Sequence, residues 1–300
     1  MLLPLLTMLK TSLLLLAVGA MGVGCGFGGG GGLTLGYLEW NENVANATVA
    51  KVLLEEDLSY ASVELKLADR VGLVCEDLID GETDTFQDAW MPNHKQYVDE
   101  GEDRIEVLNA PWYVGKTTYG IAVPDYMKGV DSISDLDSSG TGMITGIEPG
   151  TGLMERIASD VILRYDLRSN LVEASTPAML AELKQAYGMQ EPIVFLAWSP
   201  HWRNREYDFH YLSDPKNAMG PVDAPQSIHT VARKGLADDD PAAYALIKAM
   251  RLDADQVARL EISINNAGNP ETGVRRWLKE KKNRELVRPW VEAAKIGQEE

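Results

Sequence analysis

Three tryptophans stand where apolar, strand-like runs give out. Trp40 ends LTLGYLEW, Trp90 ends TDTFQDAW and Trp198 ends IVFLAW. An indole face carries negative electrostatic potential together with apolar area. Three such faces can box a quaternary ammonium group, at up to about 2 kcal/mol per desolvated contact. Carboxylates alone suit that cation poorly, because it donates no hydrogen bond and a strongly hydrated anion resists desolvation. Two further features suit an anion. His94 follows Trp90 closely in DAWMPNH, and Gly150 and Thr151 follow Pro149 at the start of a helical pattern. The first N–H groups of a helix have no partner inside it and can hold a carboxylate.

The elements that must position these residues are readable from the pattern. Ile193 to Ala197 is a short apolar run rich in β-branched and aromatic residues. It reads as a strand buried on both faces of a parallel sheet, and open α/β sheets bind ligands at the carboxyl ends of their strands. Residues 63–67, 118–124 and 143–147 read as further strands. Val44 to Leu54 and Arg70 to Ile79 have helical spacing, the second stopped by Asp80 and Gly81. Leu153, Ile157, Val161 and Tyr165 recur every four positions after Thr151, and Pro177 to Tyr187 reads as another helix. SISDL reads as a short helix start, Asp214 to Pro225 as loop, and Asp240–Pro241 as a cap followed by a first-turn proline. The remainder to Ile296 reads as helical, broken at Asn269–Pro270 and at Arg288–Pro289. Alternating strands and helices imply a parallel sheet with helices on both faces.

Six segments, taken in order, give the chain a family resemblance: LEWNENVAN, DAWMPNH, TGIEPGTGLM, STPAMLAELKQAY, WSPHW and IHTVARKG. The chain resembles the glycine betaine substrate-binding proteins of ABC importers over roughly residues 33 to 290. The resemblance implies a two-lobed, type II periplasmic-binding-protein fold, each lobe a mainly parallel sheet flanked by helices. It implies one lobe from residues 33–122 and 230–300 and another from 123–229, with IHTVARKG as the return crossing. It carries the cage role onto Trp40, Trp90 and Trp198, and carboxylate binding onto His94 and the N–H groups of Gly150 and Thr151. The implied ligand is glycine betaine or a related betaine, delivered to an ABC permease with its own ATPase subunit for osmoprotectant uptake. Trp112, Trp202, Trp277 and Trp290 are left to structural roles, with Trp202 supporting the site from behind.

Other chemistry is poorly provided for. There is no GxSxG elbow, no Walker A sequence and no metal spacing such as HExxH around His201, His210 or His229. No cofactor and no metal are expected. A secreted enzyme acting on quaternary amines would need a nucleophile, base or metal beside the tryptophans, and none is visible. A receptor for choline or carnitine is the nearer alternative. A regulatory sensor with the same fold is disfavoured by a short tether and no transmembrane helix.

Composition bounds the rest. The chain has 300 residues, a formal charge of −17 and 45% hydrophobic residues, enough for real cores. That acidity argues against nucleic acid or an anionic lipid surface as the main partner. Residues 1–24 read as a signal peptide: Lys10 is the only charge, and the apolar run from Leu13 to Val23 is short for a membrane span. Cys25 follows Gly22, Val23 and Gly24 in what looks like a lipoprotein cleavage box, with Gly22 where leucine is usual. Residues 25–32 then form a lipidated cysteine and a glycine-rich tether. The expectation is a monomer outside the cytoplasm, held to the membrane by a lipid anchor. With Cys25 lipidated, Cys75 is left single and reads as a small core residue.

Overall fold

The computed structural model describes residues 32–220 and 226–299. The signal peptide 1–24, Cys25 and all of the tether but Gly32 lie outside the described residues, as does part of the loop foreseen at 214–225.

The described residues contain twelve strands: β1 Leu33–Tyr37, β2 Val63–Leu67, β3 Thr85–Met91, β4 Ile105–Val107, β5 Tyr113–Val114, β6 Thr118–Pro124, β7 Met143–Thr145, β8 Asn170–Val172, β9 Phe195–Ser199, β10 Phe209–Tyr211, β11 Ser227–Arg233 and β12 Leu252–Asp253. Ten of them form two five-stranded sheets, ordered β2-β1-β3-β11-β4 and β10-β6-β9-β7-β8. Each sheet is the centre of one lobe. The chain builds the first through β4, passes to the second at β6, and returns at β11. Where it crosses, Thr117 Oγ1 donates to the Gln226 carbonyl at 2.9 Å, tying the outgoing and returning segments together.

The sheets are mixed, and this corrects the parallel setting read for the strand leading to Trp198. β9 pairs parallel with β7 but antiparallel with β6, and β11 is antiparallel to both neighbours, β3 and β4. Apolar content shows that β9 is covered on both faces. It does not fix the direction of its neighbours, because β6 is an equally apolar run. The strand ends also differ by a residue or two from the sequence reading. Trp90 and Trp198 are the last but one residues of β3 and β9, whereas Trp40 lies three residues beyond β1.

Local signals set the helix ends. Asp240 Oδ1 accepts from Ala243 N, with Pro241 in the first turn. Asn269 caps Pro270–Leu278, and Gly81 closes Val71–Asp80 in the left-handed conformation. Side-chain caps of this kind contribute about 0.5–2 kcal/mol each. Helix Asn41–Asp57 is longer than foreseen and is buried on most of its faces, between the first sheet and the C-terminal helices. Helix Thr176–Met189 covers the predicted segment. The helical pattern after Thr151 spans Gly152–Arg156 and Ile162–Tyr165, with a π-turn at Ile157–Val161 between them.

The break read at Arg288–Pro289 is wrong. Helix Lys281–Glu299 runs through Pro289. Pro289 and Glu285 are both exposed, so the carbonyl that loses its proline partner lies on the solvated face and water can satisfy it. Trp290 and Val287, on the opposite face, are buried and hold the helix in place. The break read at Asn269–Pro270 does occur, between helices Ala254–Ala267 and Pro270–Leu278, and a further break at Lys279–Glu280 carries no proline.

Candidate functional site

A cleft between the two sheets gathers Trp40, Glu42, Trp90, Asn93, His94, Tyr119, Ile147, Thr151, Gly152, Leu153 and Trp198. It encloses about 420 Å³ of space, solvent at its mouth included. Trp40, Trp90 and Trp198 are each less than a tenth exposed, yet all three border the cleft. The first lobe supplies Trp40, Trp90 and His94. The second supplies Trp198, Thr151 and Gly152. Gly150 is outside the lining: it takes φ +79° in the turn before the helix, and its carbonyl accepts a long hydrogen bond from Tyr97 Oη at 3.4 Å.

The turn after β3 fixes His94. Its N–H donates to the Trp90 carbonyl at 2.8 Å, and the Trp90 N–H donates to His94 Nδ1 at 3.1 Å. The four-residue interval therefore closes one turn and folds the imidazole back beside the tryptophan. Nδ1 is engaged as an acceptor, so Nε2 carries the proton. Burial pushes the His94 pKa down to about 4, which leaves the ring neutral at ordinary pH and able to donate one hydrogen bond. Its ring centroid lies 6.0 Å from that of Trp40.

Thr151 caps its own helix: its Oγ1 accepts from Met154 N at 3.3 Å. The side chain is thus spent locally. What Thr151 and Gly152 offer the cleft is main chain at a helix N-terminus, the partially positive end. A Cβ at Gly152 would come within 3.5 Å of Asn93 Cβ across the cleft, so the lobes approach closely here.

Behind Trp198 lies a buried charged cluster that the sequence reading missed. Arg203 is fully buried, its guanidinium carbon 4.2 Å from the Trp198 ring centroid, and its Nη2 donates to the Trp198 carbonyl at 3.3 Å. Glu42, Asp88 and Glu261 are buried nearby. Burial pushes the Glu42 carboxyl up to about 8 against the pull of Arg203, and burial with the neighbouring Glu42 holds Asp88 and Glu261 well above the usual range. Trp202 does not line the cleft; its main-chain N–H donates to Glu261 Oε2 at 2.6 Å. That bond joins the lobes, as does His201 Nε2 donating to Asn41 Oδ1 at 3.1 Å. Trp112 and Trp277 are fully buried in the first lobe, and Trp290 nearly so, away from the cleft.

Glu148 was also missed. It lies between β7 and the Gly152 helix, 6% exposed. Its Oε2 accepts from Trp40 Nε1 at 3.0 Å, and its two oxygens accept from Thr176 N and Thr176 Oγ1 at 2.7 and 2.8 Å. An acid at the end of an apolar strand was the available signal, in TGIEPGTG.

Cys75 is buried, and burial pushes its thiol up to about 12, as suits an inert core residue. Among the described residues no cluster of three or more His, Cys, Asp or Glu side chains is arranged to hold a metal ion, and no helix is long and apolar enough to cross a membrane.

Against known proteins, the family described as "Substrate binding domain of ABC-type glycine betaine transport system" matches residues 31–280. The glycine betaine/carnitine transport binding protein GbuC of Listeria monocytogenes is 33% identical over 165 residues, covering 54% of this chain and 53% of that protein. The chain spans about half the length of the curated relatives it matches. Two solved structures match over nearly their full length. Lactococcal OpuAC, closed and complexed with glycine betaine, gives a TM-score of 0.75 at 30% identity, covering 86% of this chain and 98% of that one. The glycine betaine, L-proline transporter binding protein ProX of Borrelia burgdorferi gives 0.76 at 27% identity, covering 89% and 100%.

Proposed function

The chain belongs to the family of substrate-binding domains of ABC-type glycine betaine transport systems, with the two-lobed type II binding-protein fold, and from that premise we propose that it captures glycine betaine or a close relative between its lobes and delivers it to an ABC permease. One observation carries the reading: three buried indoles from both lobes border one cleft, with a neutral histidine donor beside them. Trp40, Trp90 and Trp198 surround the trimethylammonium group. His94 Nε2 and the main-chain N–H groups of the Gly150–Thr151–Gly152 turn receive the carboxylate. The position of Thr151 and Gly152 on the cleft supports that half, and the turn of Gly150 sets them there.

The physical logic is differential. The indoles attract a dispersed cation without needing a hydrogen bond from it. The donors at the other end gain a charged acceptor, worth about 1.5–3 kcal/mol per bond. Glycine betaine has about eight heavy atoms; at a ceiling of about 1.5 kcal/mol per atom, micromolar affinity, about 8 kcal/mol, is within reach. The interlobe bonds from His201, Trp202 and Trp40 support a closed arrangement around such a ligand.

The protein binds and releases its ligand without transforming it. The lobe limits we assign are 33–122 with 230–300 and 123–229; the order of segments follows the two sheets, although β6 from Thr118 already belongs to the second sheet and β11 from Ser227 to the first. In the cell the protein acts outside the cytoplasm, as a monomer anchored through a lipid on Cys25.

Calorimetric titration with glycine betaine, proline betaine, carnitine and choline, followed by analysis of the recovered ligands, tests the reading. Stoichiometric binding of at least one betaine with all of it recovered intact is expected. Product formation would instead mean an enzyme, and failure of every betaine to bind would overturn the assignment.

A further inference from the structure

Glu148 does more than fill space beside the cleft. Its side chain is held within the second lobe by Thr176, whose N–H and Oγ1 donate to the two carboxylate oxygens at 2.7 and 2.8 Å. Thr176 is fully buried at the first turn of helix Thr176–Met189, so the carboxylate also meets the partially positive end of that helix. With one edge fixed in this way, Oε2 accepts from Trp40 Nε1 in the other lobe at 3.0 Å. The indole N–H is the only hydrogen-bonding group of the Trp40 side chain, and a single bond to it sets the direction in which the ring face looks.

Both Glu148 oxygens accept from groups that can only donate, the Thr176 main-chain N–H on one and the Trp40 indole N–H on the other. An amide cannot take this place. Turned one way it meets the Thr176 N–H with its own NH₂, and turned the other way it meets the indole. The bond also draws electron density toward the indole ring, which favours a cation on the ring face. Thr176 and Glu148 travel with the second lobe and Trp40 with the first, so the bond exists only while the lobes are together.

We propose that Glu148 is the positioning residue of the tryptophan cage, orienting Trp40 through its indole N–H and linking that orientation to closure of the lobes. The proposal rests on the reading that the cage holds a quaternary ammonium ligand. Glu148 touches the ligand nowhere in this account and acts through Trp40.

A double-mutant cycle tests it on the full chain. Glycine betaine affinity is measured by calorimetry for the wild type, Glu148→Gln, Trp40→Phe and the double variant, with the ligand-induced change in radius of gyration followed by small-angle X-ray scattering. Glu148→Gln is expected to weaken binding at least about tenfold, and to shrink the compaction seen on adding ligand. In the Trp40→Phe background the same change is expected to cost less than about threefold, since the indole N–H it served is already gone. An equal loss in both backgrounds would overturn the proposal and leave Glu148 a support for Thr176 alone. Should Glu148→Gln fail to fold, Trp40 is replaced by 3-benzothienylalanine, which keeps the bicyclic face and lacks the N–H. Weakening of at least about threefold supports the proposal, and unchanged affinity refutes it. A wild type that binds no betaine would instead strike at the functional reading itself, and the proposal would fall with it.

Discussion

The main-chain N–H of Trp90 donates to Nδ1 of His94 at 3.1 Å. A main-chain N–H can only donate, so the acceptor nitrogen carries no proton and the other ring nitrogen must. One turn of chain thereby decides both the position and the tautomer of the histidine. It presents Nε2–H as a donor while burial keeps the ring uncharged down to a pH of about 4. A donor that stays neutral pairs with a ligand carboxylate without adding a positive charge beside the cation cage.

His94→Ala is therefore expected to weaken glycine betaine binding and to narrow the gap between glycine betaine and choline. Choline shares the head group but presents a hydroxyl where betaine has a carboxylate. The donors it leaves poorly paired cost on the order of 1–3 kcal/mol, and the forgone bonds to a charged acceptor about 1.5–3 kcal/mol, so the wild type should bind choline at least about tenfold more weakly. Calorimetric titration of both ligands against both proteins checks this. A gap that His94→Ala does not change would remove His94 from the carboxylate site.

The same residue predicts a loss of stability in acid. The folded pKa of His94 is depressed from 6.5 to about 4. Between those values the unfolded chain binds the proton and the folded protein does not. The contribution is fully present above about pH 6.5 and is lost as pH falls toward about 4, on the order of 3 kcal/mol in all. His94→Gln should flatten the fall in melting temperature over that window. An unaltered acid limb would mean that the ring is protonated in the fold.

The cluster behind Trp198 predicts a slope of opposite sign. Asp88 is fully buried, and burial with Glu42 and Glu261 nearby raises its carboxyl well above the usual range. A raised carboxyl binds a proton in the fold that the unfolded chain has released. Its stability is present below the ordinary carboxylate range and is lost as pH rises through the folded value. Asp88→Asn keeps the shape and removes the titration. The variant should melt higher than the wild type at alkaline pH, with the advantage shrinking as pH falls toward the ordinary carboxylate range. Thermal melts from alkaline pH down to that range decide it; destabilisation of the variant at alkaline pH would contradict the account.

The cage predicts unequal tryptophans. Trp90→Ala or Trp198→Ala should cost roughly 2 kcal/mol or more of betaine affinity, because cation attraction and apolar contact disappear together. Trp277→Ala removes an indole of the first-lobe core, away from the cleft. It should lower thermal stability while leaving the affinity of the folded fraction nearly unaltered. Similar losses of affinity at all three positions would refute the cage.

Much of this was legible in the chain, for identifiable reasons. Trp40, Trp90 and Trp198 could be picked out because a bulky aromatic at the end of an apolar run departs from the pattern around it. Asp240–Pro241 and Gly81 marked helix ends because their chemistry is local. What escaped is non-local. Glu148 meets Trp40 across 108 positions of sequence, and the charge of Arg203 acts on Glu42 only once both lobes are folded. The antiparallel β6 beside β9 has the apolar composition of a parallel neighbour. Pro289 sits within a helix because its faulty turn faces water, which depends on how the helix packs.

Membrane attachment makes a separate prediction. If Cys25 carries the anchor, Cys25→Ala should move the protein from the membrane fraction to the soluble one. Retention at the membrane, with residues 1–24 still attached, would indicate an uncleaved N-terminal segment as the anchor instead.

The central claim is that the cleft recognises a positive charge and not merely a bulky head group. The most direct measurement is a calorimetric comparison of glycine betaine with 3,3-dimethylbutanoate, which replaces the quaternary nitrogen with carbon. The two share shape, methyl groups and carboxylate and differ only in the cationic charge. Three indole faces at about 0.5–2 kcal/mol each predict at least about a tenfold weaker affinity for the uncharged head group. Equal affinity would contradict the cage as described here.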